Sequence, residues 1–179
     1  HTDAVRRCLA HLLTFQDAEG FFDDGSSKMY GHGFATLFLA ELYGMTGDRA
    51  ETVRSALKRA VRLIEKGQCA DGGWDYYPDG GGISDTSITV CATMALRAAR
   101  NLGIGVDRRV VARAKDFIAR AQNKDGGFCY RISGGRTMQR ESAFPRSAAG
   151  VCVLYSLGDY DSENQKRGCE FLLRSYGRR

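Results

Sequence analysis

Very little in this chain of 179 residues would interrupt a helix, because it holds only two prolines, Pro78 and Pro145, and both fall between helical patterns. Long apolar runs are missing too: none approaches the roughly 20 residues needed to cross a bilayer, so no transmembrane segment is expected. Closely paired cysteines are absent. Cys8, Cys69, Cys91, Cys129, Cys152 and Cys169 stand singly, which excludes zinc-finger spacing and a dense disulfide scaffold. Cys8, Cys91 and Cys152 lie among apolar residues, where a thiol behaves as a small hydrophobe. The expected state is reduced and the expected location cytoplasmic. The opening His1-Thr-Asp-Ala-Val-Arg-Arg has no adjoining apolar core of a signal peptide, so no secretory signal is read there. A single block of positive charge is also lacking. The net charge of +5 is spread over several helical patterns, which reads as a solvated basic surface and excludes a nucleic-acid site.

What the chain does have is a repeated turn. The stretch Gln68-Cys-Ala-Asp-Gly-Gly-Trp-Asp-Tyr-Tyr77 has an earlier version, Gln16-Asp-Ala-Glu-Gly20-Phe-Phe22, and a later one, Gln122-Asn-Lys-Asp-Gly126-Gly-Phe128. Each copy places Gly four residues and an aromatic six residues after Gln (Gln16, Gly20, Phe22; Gln68, Gly72, Trp74; Gln122, Gly126, Phe128), and the copies are 52 and 54 residues apart. Self-similarity at that period marks an array of supersecondary units, none able to bury its apolar face alone. In physical terms the Gly supplies the turn, the aromatic covers the helix ends, and the Gln amide is placed to satisfy orphan backbone groups at the next helix.

Between the turns, charged amphipathic helices alternate with apolar ones. Thr2 caps a helix running to about Phe15, with Val5, Cys8, Leu9, Leu12 and Leu13 on one face. Asp48 and Glu51 have capping-box spacing and open a second charged helix through Val53, Leu57, Val61 and Ile64. Asp107 to Gln122 repeats the pattern, and a box from Ser162 to Gln165 opens a last helix carrying Cys169, Leu172 and Leu173. The apolar partners are Gly33 to Ala40, Thr86 to about Leu102, and Ser147 to Gly158. Gly44, Gly103 and Gly158 each stand four residues before a capping side chain, as C-caps would. The expectation is an all-α fold of about seven helices in one domain over 1–179. Repeats fall at about 2–47, 48–106 and 107–161, and a final helix at 162–176. Outer helices are amphipathic and inner ones apolar; strands are not expected. Seven helices make a partial ring with apolar ends, so self-association or a partner chain completing the ring is expected.

At the Gln-Gly-aromatic copies the chain resembles the squalene cyclase and protein prenyltransferase repeat superfamily, whose fold is an α/α toroid. The likeness is strongest in Gln68 to Tyr76, in Asp85-Thr-Ser-Ile-Thr-Val-Cys-Ala-Thr-Met, and in Gln122 to Phe128. The segment from Met29 to Thr46 is similar to a bacterial subgroup of such repeat proteins. The resemblance implies a fold, but the family's chemistry does not carry over. Its cyclases protonate an alkene from Asp-x-Asp-Asp-Thr, and Gly82-Ile-Ser-Asp85-Thr86 keeps only the last carboxylate, with Ser84 at the donor position. Asp85 therefore reads as an N-cap, and as a catalytic residue only second. Its prenyltransferases hold zinc with Asp-x-Cys and His, whereas this chain has no Asp-x-Cys and a single well-placed histidine, His32, so no metal and no cofactor are expected. The Cys-Gly-Glu-Gln of related thioester domains has no match, since Cys169 continues Glu-Phe-Leu.

What remains is a concave site. Tyr30, His32, Trp74, Tyr76, Tyr130, Arg131, Phe144 and Arg146 fall in segments leading into the inner helices, where helix N-termini offer donors. Aromatics around an apolar hollow suit an isoprenoid or other lipid-like chain, and the arginines an anionic head group; the plainer reading is that these side chains pack the loops. The functional expectation is a toroid repeat protein that binds an apolar ligand or a protein partner without the classical chemistry. An active terpenoid cyclase or prenyl-transferring enzyme, and a purely structural interaction module, are the alternatives.

Overall fold

The computed structural model describes residues 2–45, 50–132 and 141–177. Seven α-helices run through them: α1 (Thr2–Leu13), α2 (Lys28–Met45), α3 (Ala50–Lys66), α4 (Thr86–Asn101), α5 (Arg108–Ala121), α6 (Phe144–Ser156) and α7 (Glu163–Tyr176). No strand occurs among the described residues, only isolated antiparallel bridges closing two of the turns, Gln16 with Phe22 and Gln122 with Phe128. The apolar helices α2, α4 and α6 lie side by side as an inner row. Behind them α3 packs on α2 and α4, α5 on α4 and α6, and α7 on α6. This is the two-layered arrangement of an α/α toroid. The pattern dictates it: α3 puts Val53, Leu57, Val61 and Ile64 on one buried stripe and its arginines outside, whereas α2 buries residues on several sides.

Each turn is built the same way. Gly20 N–H bonds the Asp17 carbonyl, Gly72 that of Cys69 and Gly126 that of Asn123, at 3.0 to 3.2 Å. The Gln amide then joins two backbones. Gln16 Nε2 donates to the carbonyls of Gly20 and Ala56, Gln68 to those of Gly72 and Val110, and Gln122 to those of Gly126 and Asn164. The second acceptor always sits on the next outer helix. Ala56 lies well inside α3, so the amide adds a bond at a helical carbonyl instead of rescuing a helix end, as the sequence suggested. Evenly spaced arginines close the junction from the other side. Arg59 reaches Gln16 Oε1, Arg113 the Cys69 carbonyl, and Arg167 the carbonyls of Asn123 and Lys124.

Several boundaries differ from the expectation. Inner helix α2 begins at Lys28 and not at Gly33: the Asp24 carboxylate gathers the Ser26 and Ser27 N–H groups, and the Tyr76 carbonyl takes that of Met29. Pro145 is not in a loop but in the first turn of α6, where its missing N–H costs nothing. Gly103 and Gly158 have the positive φ of a C-cap, but Gly44 is still helical as the next-to-last residue of α2, and Asp48 lies outside the described residues. Helix α1 ends at Leu13, short of Phe15, with Thr2 as its first residue. Asp107 and Ser162 cap as expected, accepting from Arg109 N and Gln165 N. Gln165 does not return the bond, and Ser162 N–H goes to Asp159 Oδ1. Of the cysteines read as small hydrophobes only Cys91 is buried; Cys8 and Cys152 are exposed.

Two glycines separate backbone strain from crowding. Gly72 has φ +98° and an added Cβ would press on the Arg113 carbonyl, whereas Gly103 has φ +77° and open space around it. Gly103→Ala should lower stability by about 1 kcal/mol, the cost of the left-handed backbone alone. Gly72→Ala should cost about 3 kcal/mol or more, because the turn must also part from α5. Chemical denaturation of the two variants measures the difference, and equal losses would refute the close approach.

Candidate functional site

The centre of the expected site is Asp85, fully buried at the N-cap of α4. Its Oδ1 accepts from the N–H groups of Ser87 at 2.7 Å and Ile88 at 3.3 Å. Its own N–H is held by the Trp74 carbonyl at 2.8 Å. Neighbouring Thr86 ties the site to the next turn, its N–H donating to the Tyr130 carbonyl at 3.1 Å and its hydroxyl to the Cys129 carbonyl at 2.8 Å. Ser84, at the position of a proton donor, spends its hydroxyl on the Asp71 carboxylate. The next turn repeats that link, Ser142 Oγ to Asp125 Oδ1, so it belongs to the repeat.

Around Asp85 the structure gathers Tyr30, Tyr76, Tyr130, Arg131 and Arg146. The hydroxyls of Tyr76 and Tyr130 share a hydrogen bond of 2.8 Å, and the Tyr30 ring meets that of Tyr76 edge-on, centroids 5.9 Å apart. The Arg131 guanidinium lies 5.5 Å from the centre of the Tyr130 ring and that of Arg146 5.9 Å, both within reach of its π face. Arg131 also pairs with Asp75 at 3.2 Å. Burial, then the Asp85 carboxylate, pushes the Tyr30 hydroxyl up to about 12 and the Cys91 thiol up to about 11. Burial, then hydrogen bonds to the Asp85 carboxylate and the Tyr76 hydroxyl, push the Tyr130 hydroxyl higher still. These phenols are neutral hydrogen-bonding groups at any ordinary pH. Phe144 and Arg146 sit in the first turn of α6, and Tyr30 and His32 in the first turns of α2, inside the helices instead of ahead of them.

His32 and Trp74 lie elsewhere. Both are fully buried, and Trp74 Nε1 donates to the Ile64 carbonyl at 2.6 Å. His32 Nδ1 accepts from Phe22 N–H at 3.2 Å, which leaves the proton on Nε2 to donate to the Ala60 carbonyl at 3.1 Å. Thr89 Oγ1 accepts from Trp74 N–H and Ser147 Oγ from Phe128 N–H. His32 is thus the first-repeat counterpart of Thr89 and Ser147, a link between turn and inner helix.

The free face of the inner row forms a hollow that the sequence reading did not resolve into residues. A cavity of about 430 Å³ is lined by Leu37 and Glu41 of α2, Met94, Arg97 and Ala98 of α4, and Val151, Cys152 and Tyr155 of α6, among others. The signal was a spacing of three and four: Tyr30, Phe34, Leu37 and Glu41 form one stripe of α2, and Ser87, Met94 and Arg97 lie along one of α4. Phe34 is 58% exposed although it lies in the charge-free stretch Gly33 to Ala40. From Tyr30 to Glu41 the stripe runs about 16 Å, at the helical rise of about 1.5 Å per residue. The tyrosine and arginine cluster closes one end of it. Lys28 and Tyr77, also unforeseen, join there through a 2.7 Å hydrogen bond.

Among the described residues no three His, Cys, Asp or Glu side chains come together as metal ligands, and no helix is long and apolar enough to cross a membrane. A family model described as the prenyltransferase alpha-alpha toroid domain matches residues 1–176. Among curated proteins, a drimenyl diphosphate synthase of Streptantibioticus cattleyicolor is 30% identical over 161 residues, covering 88% of this chain. The chain spans 29% of the length of that relative.

His32 makes the junction pH-sensitive. Burial lowers its pKa from 6.5 to about 4, so between those values the unfolded chain binds a proton that the folded chain does not. Stability present above the unfolded value is therefore lost as pH falls from about 6.5 towards 4, by about 3 kcal/mol in all. Denaturation at stepped pH should give His32→Thr, which takes the residue of the second repeat, a shallower slope over that window. Parallel slopes would show that the ring is not the titrating group.

Proposed function

The chain belongs to the prenyltransferase alpha-alpha toroid family, and on that premise we propose that its concave face binds an apolar, isoprenoid-like chain whose polar head rests on Tyr76, Tyr130, Arg131 and Arg146. The observation that carries this reading is the α2 stripe that starts at Tyr30, against Tyr76 of that cluster, and ends at Leu37 and Glu41 in the wall of the cavity between α2, α4 and α6. An apolar hollow with a few convergent polar groups at one end is the general form of a small-molecule site. The exposed Phe34, Met94 and Tyr155 give the chain a surface to cover.

Binding without the classical proton-donor chemistry is supported by Ser84, whose hydroxyl is committed to Asp71, and by Asp85, whose Oδ1 is committed to the helix. A second reading, a terpenoid cyclase, is favoured by the name of the relative, and the chain would then contribute part of a larger catalytic assembly. Cyclic product formed from a linear prenyl diphosphate would support that reading. We further propose that the molecule works in the cytoplasm, and that a second copy or a partner chain covers α7, where Leu173 and Tyr176 are 75% and 74% exposed.

Isothermal titration with a linear polyprenyl ligand tests the binding reading. Met94→Glu, which sets a charge in the cavity wall, should weaken binding at least about tenfold while the unfolding free energy stays within about 0.5 kcal/mol of the parent. Absence of binding, or unchanged affinity in the variant, would overturn it.

A further inference from the structure

The cavity between α2, α4 and α6 has two acceptors in its wall with nothing to accept from among the described residues. Gln165 Oε1 is buried without a hydrogen-bond partner, and the Glu41 carboxylate makes no hydrogen bond or ion pair. A buried polar atom left without a partner is uncommon and asks for an explanation. The two acceptors stand where inner helices end. Asn101 and Ser156, which also line the cavity, are the last residues of α4 and α6, and Glu41 lies about one turn from the end of α2. Carbonyls at a helix C-terminus carry partial negative charge, and neither α2 nor α6 has a basic residue in its last turn to offset it. Glu41 adds a full charge of the same sign. Arg97, the cation of this wall, is engaged elsewhere: its Nη1 donates to the Tyr155 carbonyl, and its guanidinium lies 4.4 Å from the centre of the Tyr155 ring.

We propose that the wall at Glu41 and Gln165 binds a protonated primary amine, so that the chain lying in the hollow carries an ammonium group at the end away from the tyrosine and arginine cluster. The inference rests on the reading of the hollow as the seat of an isoprenoid-like chain and adds a second polar group to that ligand. An ammonium has three N–H donors and no acceptor, which suits a wall whose unpartnered groups are acceptors. Its charge leaves water at a cost that only an opposite charge offsets, and the Glu41 carboxylate supplies one. The helix ends favour the same sign. A hydroxyl meets the same acceptors without a charge, and hydrogen bonds between ionised partners are roughly twice as strong as neutral ones. A carboxylate or phosphate at this end has no proton for either acceptor and sets its charge against Glu41.

Two farnesol derivatives that differ only at the ω carbon, an amine in one and a hydroxyl in the other, test this by titration of the whole chain, with farnesol itself as the reference for the hollow. The parent protein should bind the amine at least about tenfold tighter than the diol. Glu41 is exposed, so Glu41→Gln should fold as the parent does, and with the charge gone the two affinities should come within about twofold of each other. Gln165→Leu removes the buried acceptor and should narrow the preference as well, without loss of stability, since an unpartnered amide oxygen gives the free protein nothing to lose. Equal affinity of the parent for amine and diol, a preference for the diol, or an amine preference undiminished in folded Glu41→Gln would each overturn the proposal while leaving the seat for the chain in place. If none of the three compounds binds the parent, the reading of the hollow falls and this inference with it.

Discussion

One glutamine side chain in each turn reaches two backbones at once, its own glycine and the outer helix of the next repeat, and the rest of the molecule depends on that span. A turn that only reversed the chain would leave each helical hairpin free to swing. With the Gln68 amide on the carbonyls of Gly72 and Val110, the register between repeats is set to within a hydrogen bond. The glycine is required for the same reason, because the turn lies directly on the carbonyl of Arg113, as it does on that of Arg167 one repeat later. Burial makes these bonds count: Gln68 and Trp74 are out of solvent, so losing one leaves polar groups with no water to replace it. The apolar clusters of α1 to α5 and of α5 and α6 then fill a frame already fixed in register.

Much of this was legible in the sequence because it repeats. Three copies of Gln-Gly-aromatic at nearly constant spacing, with charged and apolar helices alternating between them, were enough for an all-α two-layered fold. The hydrogen-bond accounting at helix starts was less legible. Nothing in the pattern around Gly33 says that Asp24 and the Tyr76 carbonyl will supply acceptors that let α2 begin at Lys28. Pro145 misled because proline signals a break in a helix interior but is tolerated in a first turn.

The site was legible in part, and the division has a physical cause. Tyr30, Tyr76, Tyr130, Arg131 and Arg146 follow from position, since whatever precedes or opens an inner helix ends at the same rim. His32 and Trp74 satisfy the same positional rule but point the other way, into the junction, because the motif aromatic needs a partner for its backbone N–H and a lid for its ring. Sequence position cannot separate the two orientations. Repeat equivalence can, since His32 takes the place that Thr89 and Ser147 hold elsewhere.

The site also inherits its asymmetry from the frame. The turn before each inner helix must supply a cap for that helix and a contact for the next turn, and in the second repeat both duties fall on Asp85 and Thr86. Capping uses one carboxylate oxygen and turns the other toward the neighbouring turn, where Tyr130 and the two arginines arrive because their own turn is pinned to α7 through Gln122. A carboxylate retained for capping thus also takes the Tyr130 hydroxyl of the neighbouring turn. Ser84 reaches the opposite outcome from the adjacent position, because its hydroxyl is drawn into the turn by Asp71. The carboxylate of one side chain thus serves two parts of the frame, the helix it caps and the turn that follows.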